Sequence, residues 1–291
     1  MDYRLFVLSE INIPSPLPSV GCDRLSHRNP IVYCLGVQWF RTKRHVQWLL
    51  QKETFAKERA QGPLPYRVHK HSSVLIRKLG DTDPVLQHNK IINLRLATAC
   101  LHEVIIRPGE VFSFCKLVGK PTRRRGFVEG LQLSRGQAIS GIGGGICQIA
   151  NLIHWLVLHS PLTVVERSQH SYDPFPDEGR IIPFGTGAAI FYNYVDYQFR
   201  NDTQDTYQLR FWLTEKTLEG ELRCNRDLEH KYHVIEKHHA FVKIGDSFYR
   251  SNQIWQYRTV KCRSEIEEEK LITRNFAIVK YQPTDYTELK L

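Results

Sequence analysis

"SGIGGGICQIANLIHWLVLH" (Ser140–His159) sets the architecture of this chain: four glycines within five residues run directly into an almost wholly apolar helix. Glycine costs about 1 kcal/mol against alanine in a helix interior, so the run marks backbone that bends sharply or is approached closely. Ile149, Ala150, Leu152, Ile153, Trp155, Leu156 and Val157 then supply the apolar surface of a core helix. The apolar stretch Ile146–Leu158 is interrupted by Gln148, Asn151 and His154, and it falls short of the ~20 residues that span a bilayer. A buried central helix, without a transmembrane segment, is the expectation.

Upstream, the first 35 residues are rich in Pro and Ser and read as an irregular arm with short strands. Trp39, Phe40, Val46, Trp48, Leu49, Leu50 and Phe55 are spaced for a helix over Val37–Gln61, which "QGPLPY" (Gln61–Tyr66) ends. "DTDP" (Asp81–Pro84) reads as a turn and helix start, and Asn89–Val104 as a second helix. "VFSF" and "GFVEGLQLSRGQAIS" alternate and are broken by glycines, as hairpins are. Downstream, "LTVVER" (Leu162–Arg167) is a strand, and the stretch from "IPFGTGAAIFYNYVDYQFRN" through "YQLRFWL" reads as two or three more. Arg223–Tyr281 is rich in strand formers around one turn, "KIGDSFY" (Lys243–Tyr249). The class is α+β: N-terminal helices followed by a mainly antiparallel β-sheet region with one buried central helix. No repeat, heptad or low-complexity tract is evident.

Hydrophobic residues at 42% and charged residues at 24% exclude global disorder. The formal charge of +10 is concentrated locally in Arg41–His45 and Thr122–Gly126. No nucleic-acid motif surrounds these clusters, so nucleic acid is not a favoured partner. Solvated surface charge is the leading reading, with attraction to an anionic polymer or membrane surface as the other. Seven scattered cysteines without a CxxC pair fit a reducing compartment. The N-terminal residues carry no secretory signal pattern, so a cytoplasmic location is expected.

The candidate site lies where the glycines meet the helix. Unpaired amides and the helix dipole favour a thiolate at Cys147, and the amides of Gly145, Cys147 and Gln148 could hold an oxyanion. Side chains at Gly143, Gly144 and Gly145 would fill space a substrate needs. His170, after the next strand, is the candidate base, with Asp196 ranked ahead of Asp173 and Asn193 to orient it. Gln148, Asn151 and Arg167 are candidate substrate contacts, with Ser168 and Gln169 near them. Beside this stands the structural reading, in which Cys147 is a small buried residue, His170 a strand-end histidine, and Asn151 and His154 satisfied core groups. Cys147 and His154 stand ~10 Å apart along a helix axis, which disfavours zinc. The turn lacks the Lys and Ser/Thr of a P-loop. No metal or cofactor is expected.

The segment Arg107–Asp173 resembles the VanW-like family, named after an accessory protein of glycopeptide (vancomycin) resistance clusters. The blocks that carry the resemblance are "PGEVFSF" (Pro108–Phe114), "GGGICQ" (Gly143–Gln148), "VER" (Val165–Arg167), His170 with Ser171, and "DYQFRN" (Asp196–Asn201). "YRSNQIWQYR" (Tyr249–Arg258) looks like the short form of the family. The division this implies is an N-terminal arm and helical region at 1–88, a VanW-like core at 89–215, and a C-terminal β-rich region packed on it at 216–291. One departure stands out: many members carry Asp-Ala-Thr before the "DYQF"-like strand, whereas this chain has "GTGAAI" (Gly185–Ile190), with Gly187 in place of the aspartate. The resemblance implies an association with cell-wall chemistry rather than a defined reaction. Two functions follow: cysteine-dependent acyl transfer (peptidase, amidase or transpeptidase) by Cys147, His170 and Asp196, or non-catalytic binding of an anionic peptide or wall-precursor ligand at the glycine turn.

Overall fold

The computed structural model describes residues 13–14, 29–76, 83–134, 137–169, 172–173, 176–177, 181–263 and 265–289. Helix α1 (Pro30–Leu50) opens on a side-chain cap, Asn29 Oδ1 accepting the Ile31 amide at 2.9 Å, with Pro30 supplying the fixed φ of a first turn. The helix therefore starts before Val37 and ends before Gln61. Residues 51–60 are drawn out because their main chain pairs with strands: Ala56 N donates to Val111 O and Ile105 N to Glu58 O, both at 2.9 Å. Strand β1 (Tyr66–Val74) follows. Helix α2 (Pro84–Leu101) begins at the expected "DTDP" signal, Asp83 Oδ1 accepting the Val85 amide at 2.8 Å.

Strands β2 (Val104–Ile106) and β3 (Val111–Ser113) lead into a short helix α3 (Phe114–Val118). The glycine-punctuated stretch forms the expected hairpin, β4 (Glu129–Ser134) on β5 (Gln137–Ile142), with Gly130 opposite Gly141. Helix α4 (Cys147–Leu158) comes next, then β6 (Thr163–Glu166), β7 (Tyr172–Asp173), β8 (Gln198–Arg200), β9 (Tyr207–Leu213) and β10 (Thr217–Cys224). The chain closes on β11 (His230–Ile244), β12 (Ser247–Val260), β13 (Ile266–Val279) and β14 (Thr287–Leu289).

The strands form sheets of order β1-β10-β9-β2, β3-β8-β6 and β14-β11-β12-β13-β7 beside the β4–β5 hairpin. Among the described strands, pairing is antiparallel except where β14 and β7 join β11 and β13. The protein is α+β. The first sheet takes β1 from the N-terminal segment, β2 and β9 from the middle and β10 from beyond residue 216.

Helix α4 is the buried central helix. Ile149, Ala150, Leu152, Ile153, Leu156 and Val157 are at most 1% exposed, packed in one cluster with Leu94, Leu101, Phe112, Phe199, Leu209, Phe211 and Leu222. Each such side chain contributes roughly 1.5–3 kcal/mol on burial, so α4 is held by packing rather than by its glycine-preceded start. Of the stretch from Ile182 through Leu213 read as two or three strands, β8 and β9 are strands and 183–190 is irregular. The Phe184, Gly185 and Gly187 carbonyls and the Ala188 amide bond to side chains on both flanks instead of to a neighbouring strand.

At its C-terminal end, α4 meets an imidazole cluster. His159 stacks on His69 of β1 with ring centroids 3.8 Å apart, and Trp155 packs edge-on against His159 at 4.6 Å. Burial, reinforced by the neighbouring imidazoles of His71 and His233, lowers His69 to about 3 and His159 to about 4. In the unfolded chain both titrate near 6.5, so below that pH the unfolded state takes up protons that the folded state refuses. Stability should be flat above about pH 7 and fall as pH drops from about 6.5 towards 4. Urea melts across that range should show this slope reduced in His69→Gln; an unchanged slope would remove the cluster as its source.

Candidate functional site

The turn into α4 is built from positive-φ glycines, Gly143 at +79° and Gly145 at +90°. Three of its amides are used internally: Gly143 N donates to Val128 O at 3.0 Å, Gly144 N to Gly141 O at 2.9 Å and Gln148 N to Gly145 O at 3.1 Å. The Gln148 amide, expected to be an oxyanion donor, is therefore taken by the turn itself. The chain's own atoms occupy the space that glycine leaves. A Cβ on Gly144 would collide with the Gly130 carbonyl, one on Gly145 with the Lys90 stem, and one on Gly143 would lie 2.6 Å from Pro121 Cβ. Asn93 of α2 locks this packing, its Nδ2 donating to Val128 O at 3.0 Å and Gly144 O at 2.9 Å while its Oδ1 accepts Val128 N at 2.9 Å.

Cys147 Sγ lies 3.9 Å from the Ile190 carbonyl oxygen. The residue as a whole keeps some exposed surface, but atoms packed around the thiol desolvate it, and this burial pushes the thiol up, against the lowering expected of a helix start. One turn on, Asn151 Oδ1 accepts the Ala188 amide at 2.7 Å. His154, 1% exposed, shares a 3.1 Å hydrogen bond with the Tyr197 hydroxyl, and burial holds it well below its ordinary value. Arg167 Nη1 donates to Gly185 O at 2.8 Å and Gly187 O at 2.9 Å, with burial lowering its guanidinium. Gln148 Nε2 reaches away to β1, donating to Val74 O at 2.8 Å and Ser73 Oγ at 2.9 Å. The polar stripe of α4 thus faces Tyr197 and the loop Gly185–Ile190.

Asp196 is fully buried. Its Oδ1 accepts the amides of Cys115 and Tyr197, both at 2.8 Å, and its Oδ2 accepts Ser113 Oγ at 2.6 Å and Gln198 Nε2 at 2.9 Å. This arrangement pins α3 to β8. Burial raises the carboxyl and these hydrogen bonds oppose the rise. Asp173 is ion-paired with Arg250 at 2.9 Å, and Asn193 Nδ2 lies 2.9 Å from His45 Nε2. The Ser168 carbonyl accepts the Ala189 amide at 2.8 Å. His170 lies outside the described residues, so its pairing with Cys147 does too.

The far side of the same loop meets the C-terminal sheet. The Phe184 carbonyl accepts Asn252 Nδ2 at 2.8 Å and Asn275 Nδ2 at 3.3 Å, and Asn275 Nδ2 also reaches Asn252 Oδ1 at 2.6 Å. A Cβ on Gly185 would collide with Asn275. Beside this amide pair opens a cavity of about 240 Å³ whose walls include Gln169, Ser251, Gln253, Arg274, Asn275 and Phe276. Gln169 Nε2 is 3.3 Å from Thr273 Oγ1, which places it at the rim of β13. Among the described residues, no three His, Cys, Asp or Glu side chains are grouped to hold a metal ion.

A family model described as VanW like protein matches residues 89–223. The vancomycin B-type resistance protein VanW of Enterococcus faecalis is 29% identical over 227 residues, covering 78% of this chain and 82% of that protein. Over residues 89–223, a little under half of its length, the chain is VanW-like. The uncharacterized protein YoaR of Bacillus subtilis is 28% identical over 119 residues, 40% of this chain and 37% of YoaR. No solved structure matches the chain.

In this VanW-like chain, the residues the sequence reading missed are Asn252, Asn275, Ser251 and Gln253. Their signal was present: "RSNQ" (Arg250–Gln253) and Asn275 put polar side chains in the middle of long strands, where each needs a partner. The glycine turn yields a direct test. Gly144→Ala must push two backbones apart and should cost about 3 kcal/mol. Gly36→Ala, in α1 with nothing within 4 Å of the added methyl, should stabilise by about 0.5–1 kcal/mol. Chemical denaturation of both variants checks the contrast.

Proposed function

We propose that this VanW-like protein serves cell-wall chemistry of the kind linked to glycopeptide resistance by binding a small peptide-bearing wall precursor, without breaking a bond in it. The relative named as a vancomycin resistance protein supplies the context. The observation that carries the non-catalytic half is the environment of Cys147, whose thiol rests on the Ile190 carbonyl and is pushed up by burial. Nucleophilic catalysis asks for the reverse, a thiolate with a base in reach and an orienting acid behind the base. Asp196, ranked first as that acid, already accepts four hydrogen bonds from its own neighbourhood.

The binding half moves from the glycine turn to the cavity beside Asn275. The turn is filled by Gly130, Lys90 and Pro121, whereas the cavity offers the exposed Arg274 guanidinium, the Ser251 hydroxyl and the Phe276 ring within one concavity. At about 240 Å³ it lies just below the usual 300–1,000 Å³ of ligand pockets, a size for the end of a peptide rather than a whole precursor. A guanidinium beside a hydroxyl and an aromatic face suits a terminal carboxylate on a short aliphatic side chain.

Calorimetric titration with a soluble muramyl pentapeptide tests the proposal. Binding should weaken about tenfold or more in Arg274→Ala, because a hydrogen bond to a charged group is worth roughly 1.5–3 kcal/mol, and should survive in Cys147→Ala. Iodoacetamide should label native Cys147 no faster than an unperturbed thiol. Rapid labelling near neutral pH, with turnover of the peptide lost in Cys147→Ser, would replace binding with acyl transfer.

A further inference from the structure

Helix α1 is seated on the body by one face and leaves another bare. Val37, Arg41, Arg44 and Trp48 recur at steps of four and three residues and, with Gly36, are its partly buried positions. Arg44 forks onto both Glu166 oxygens at 2.5 and 2.6 Å, Arg41 Nε donates to Tyr192 O at 3.3 Å, and the Lys116 ammonium lies 4.7 Å from the Trp48 ring. The helix is thus fixed in rotation about its own axis. What it turns outward is Ile31 (69% exposed), Leu35 (65%), Trp39 (67%), Val46 (46%), Leu49 (83%) and Leu50 (77%). At 3.6 residues per turn these six fall within an arc of about 100°, along a helix about 30 Å long. An apolar stripe of that length left in water calls for a partner.

Charge selects the partner. The helix carries Arg41, Lys43, Arg44 and His45 and no Asp or Glu, in a chain of net charge +10. Lys43 is exposed and sits at the border of the stripe, beside Leu50 on the helical wheel. A second copy packed on this stripe would bring Lys43 against a helix with no carboxylate to meet it, so paired helices would lack the flanking ion pairs that fix such seams. A surface of anionic headgroups over acyl chains meets both halves: the stripe enters the headgroup–acyl boundary, the Trp39 indole lies at the interface, and the exposed Lys43 at the stripe's border contacts phosphate, while Arg41 and Arg44 hold the helix to the body. No helix among the described residues is long and apolar enough to cross a membrane, so contact through α1 lies along the surface.

We propose that α1 is an interfacial membrane anchor, its Ile31–Leu50 stripe lying in the plane of an anionic lipid surface. This inference stands apart from the ligand reading, since it uses no residue of the cavity.

Co-sedimentation of the whole chain with vesicles tests it. The protein should pellet with mixed phosphatidylglycerol–phosphatidylcholine vesicles, bind phosphatidylcholine alone far less, and release as salt rises. Leu35→Glu with Leu49→Glu replaces two side chains that are 65% and 83% exposed, so folding should persist while vesicle affinity falls about tenfold or more. Lys43→Gln should lose about fivefold on the anionic vesicles and little on the neutral ones. Failure to pellet with either vesicle overturns the proposal. So does a wild-type dimer in sedimentation equilibrium that becomes monomeric in the double Glu variant while lipid binding stays absent, an outcome that assigns the stripe to a second copy.

Discussion

The structure depends on one constraint: the loop from Phe184 to Ile190 runs between α4 and the C-terminal sheet outside any strand ladder, so side chains satisfy much of its main chain. Buried peptide groups without partners cost about 1–3 kcal/mol each. Arg167 and Asn151 answer from one side, and Asn252 and Asn275 from the other. The polar stripe on an otherwise apolar helix and the asparagines in mid-strand are two halves of one device. It joins the VanW-like core to the long antiparallel sheet through side-chain hydrogen bonds, where a more regular protein would use a strand or an apolar seam.

The glycine run answers a different need. Its three consecutive glycines let the turn lie directly on the β4–β5 hairpin, with Gly130 facing Gly144, and Asn93 stitches the contact by bonding to Gly144 and to Val128 just before the hairpin. Backbones this close exclude every side chain. That explains the composition without a ligand, and it shifts attention from the turn to the cavity beyond the loop.

The parts legible in the sequence were those with local causes. Asp83 before Pro84, the alternation broken by glycine at Gly130 and Gly141, and the apolar periodicity of α4 each act within a few residues, so reading them gave the helix start, the hairpin and the central helix. What was not legible had distant causes. Phe55–Arg59 has helical spacing yet is extended, because Val111 and Val104 lie beside it. Gly185–Ile190 resembles a strand by composition yet is irregular, because its hydrogen-bond partners sit on other elements. The candidate site divides the same way: Asn151 and Arg167, read as substrate contacts, both bond the main chain of one loop.

Cys147 shows why a helix start is weak evidence for reactivity. The dipole there contributes about 0.3–1 kcal/mol, up to ~2 in the best partly buried geometries. Moving a thiolate out of water among packed carbon atoms costs several kilocalories per mole unless a cation compensates. Among the described residues no cationic side chain offsets this at the Cys147 thiol, where burial is the largest influence. The guanidinium that serves this region, Arg167, bonds the carbonyls of Gly185 and Gly187. Where the family resemblance places an aspartate, this chain has Gly187, whose Cβ would stand 3.2 Å from Asn151 Oδ1. A carboxylate there would crowd Asn151 and compete for Arg167. In this chain the loop instead meets the helix through the Ala188 amide on Asn151 and the Ile190 carbonyl beside Cys147, and the burial this brings favours the protonated thiol.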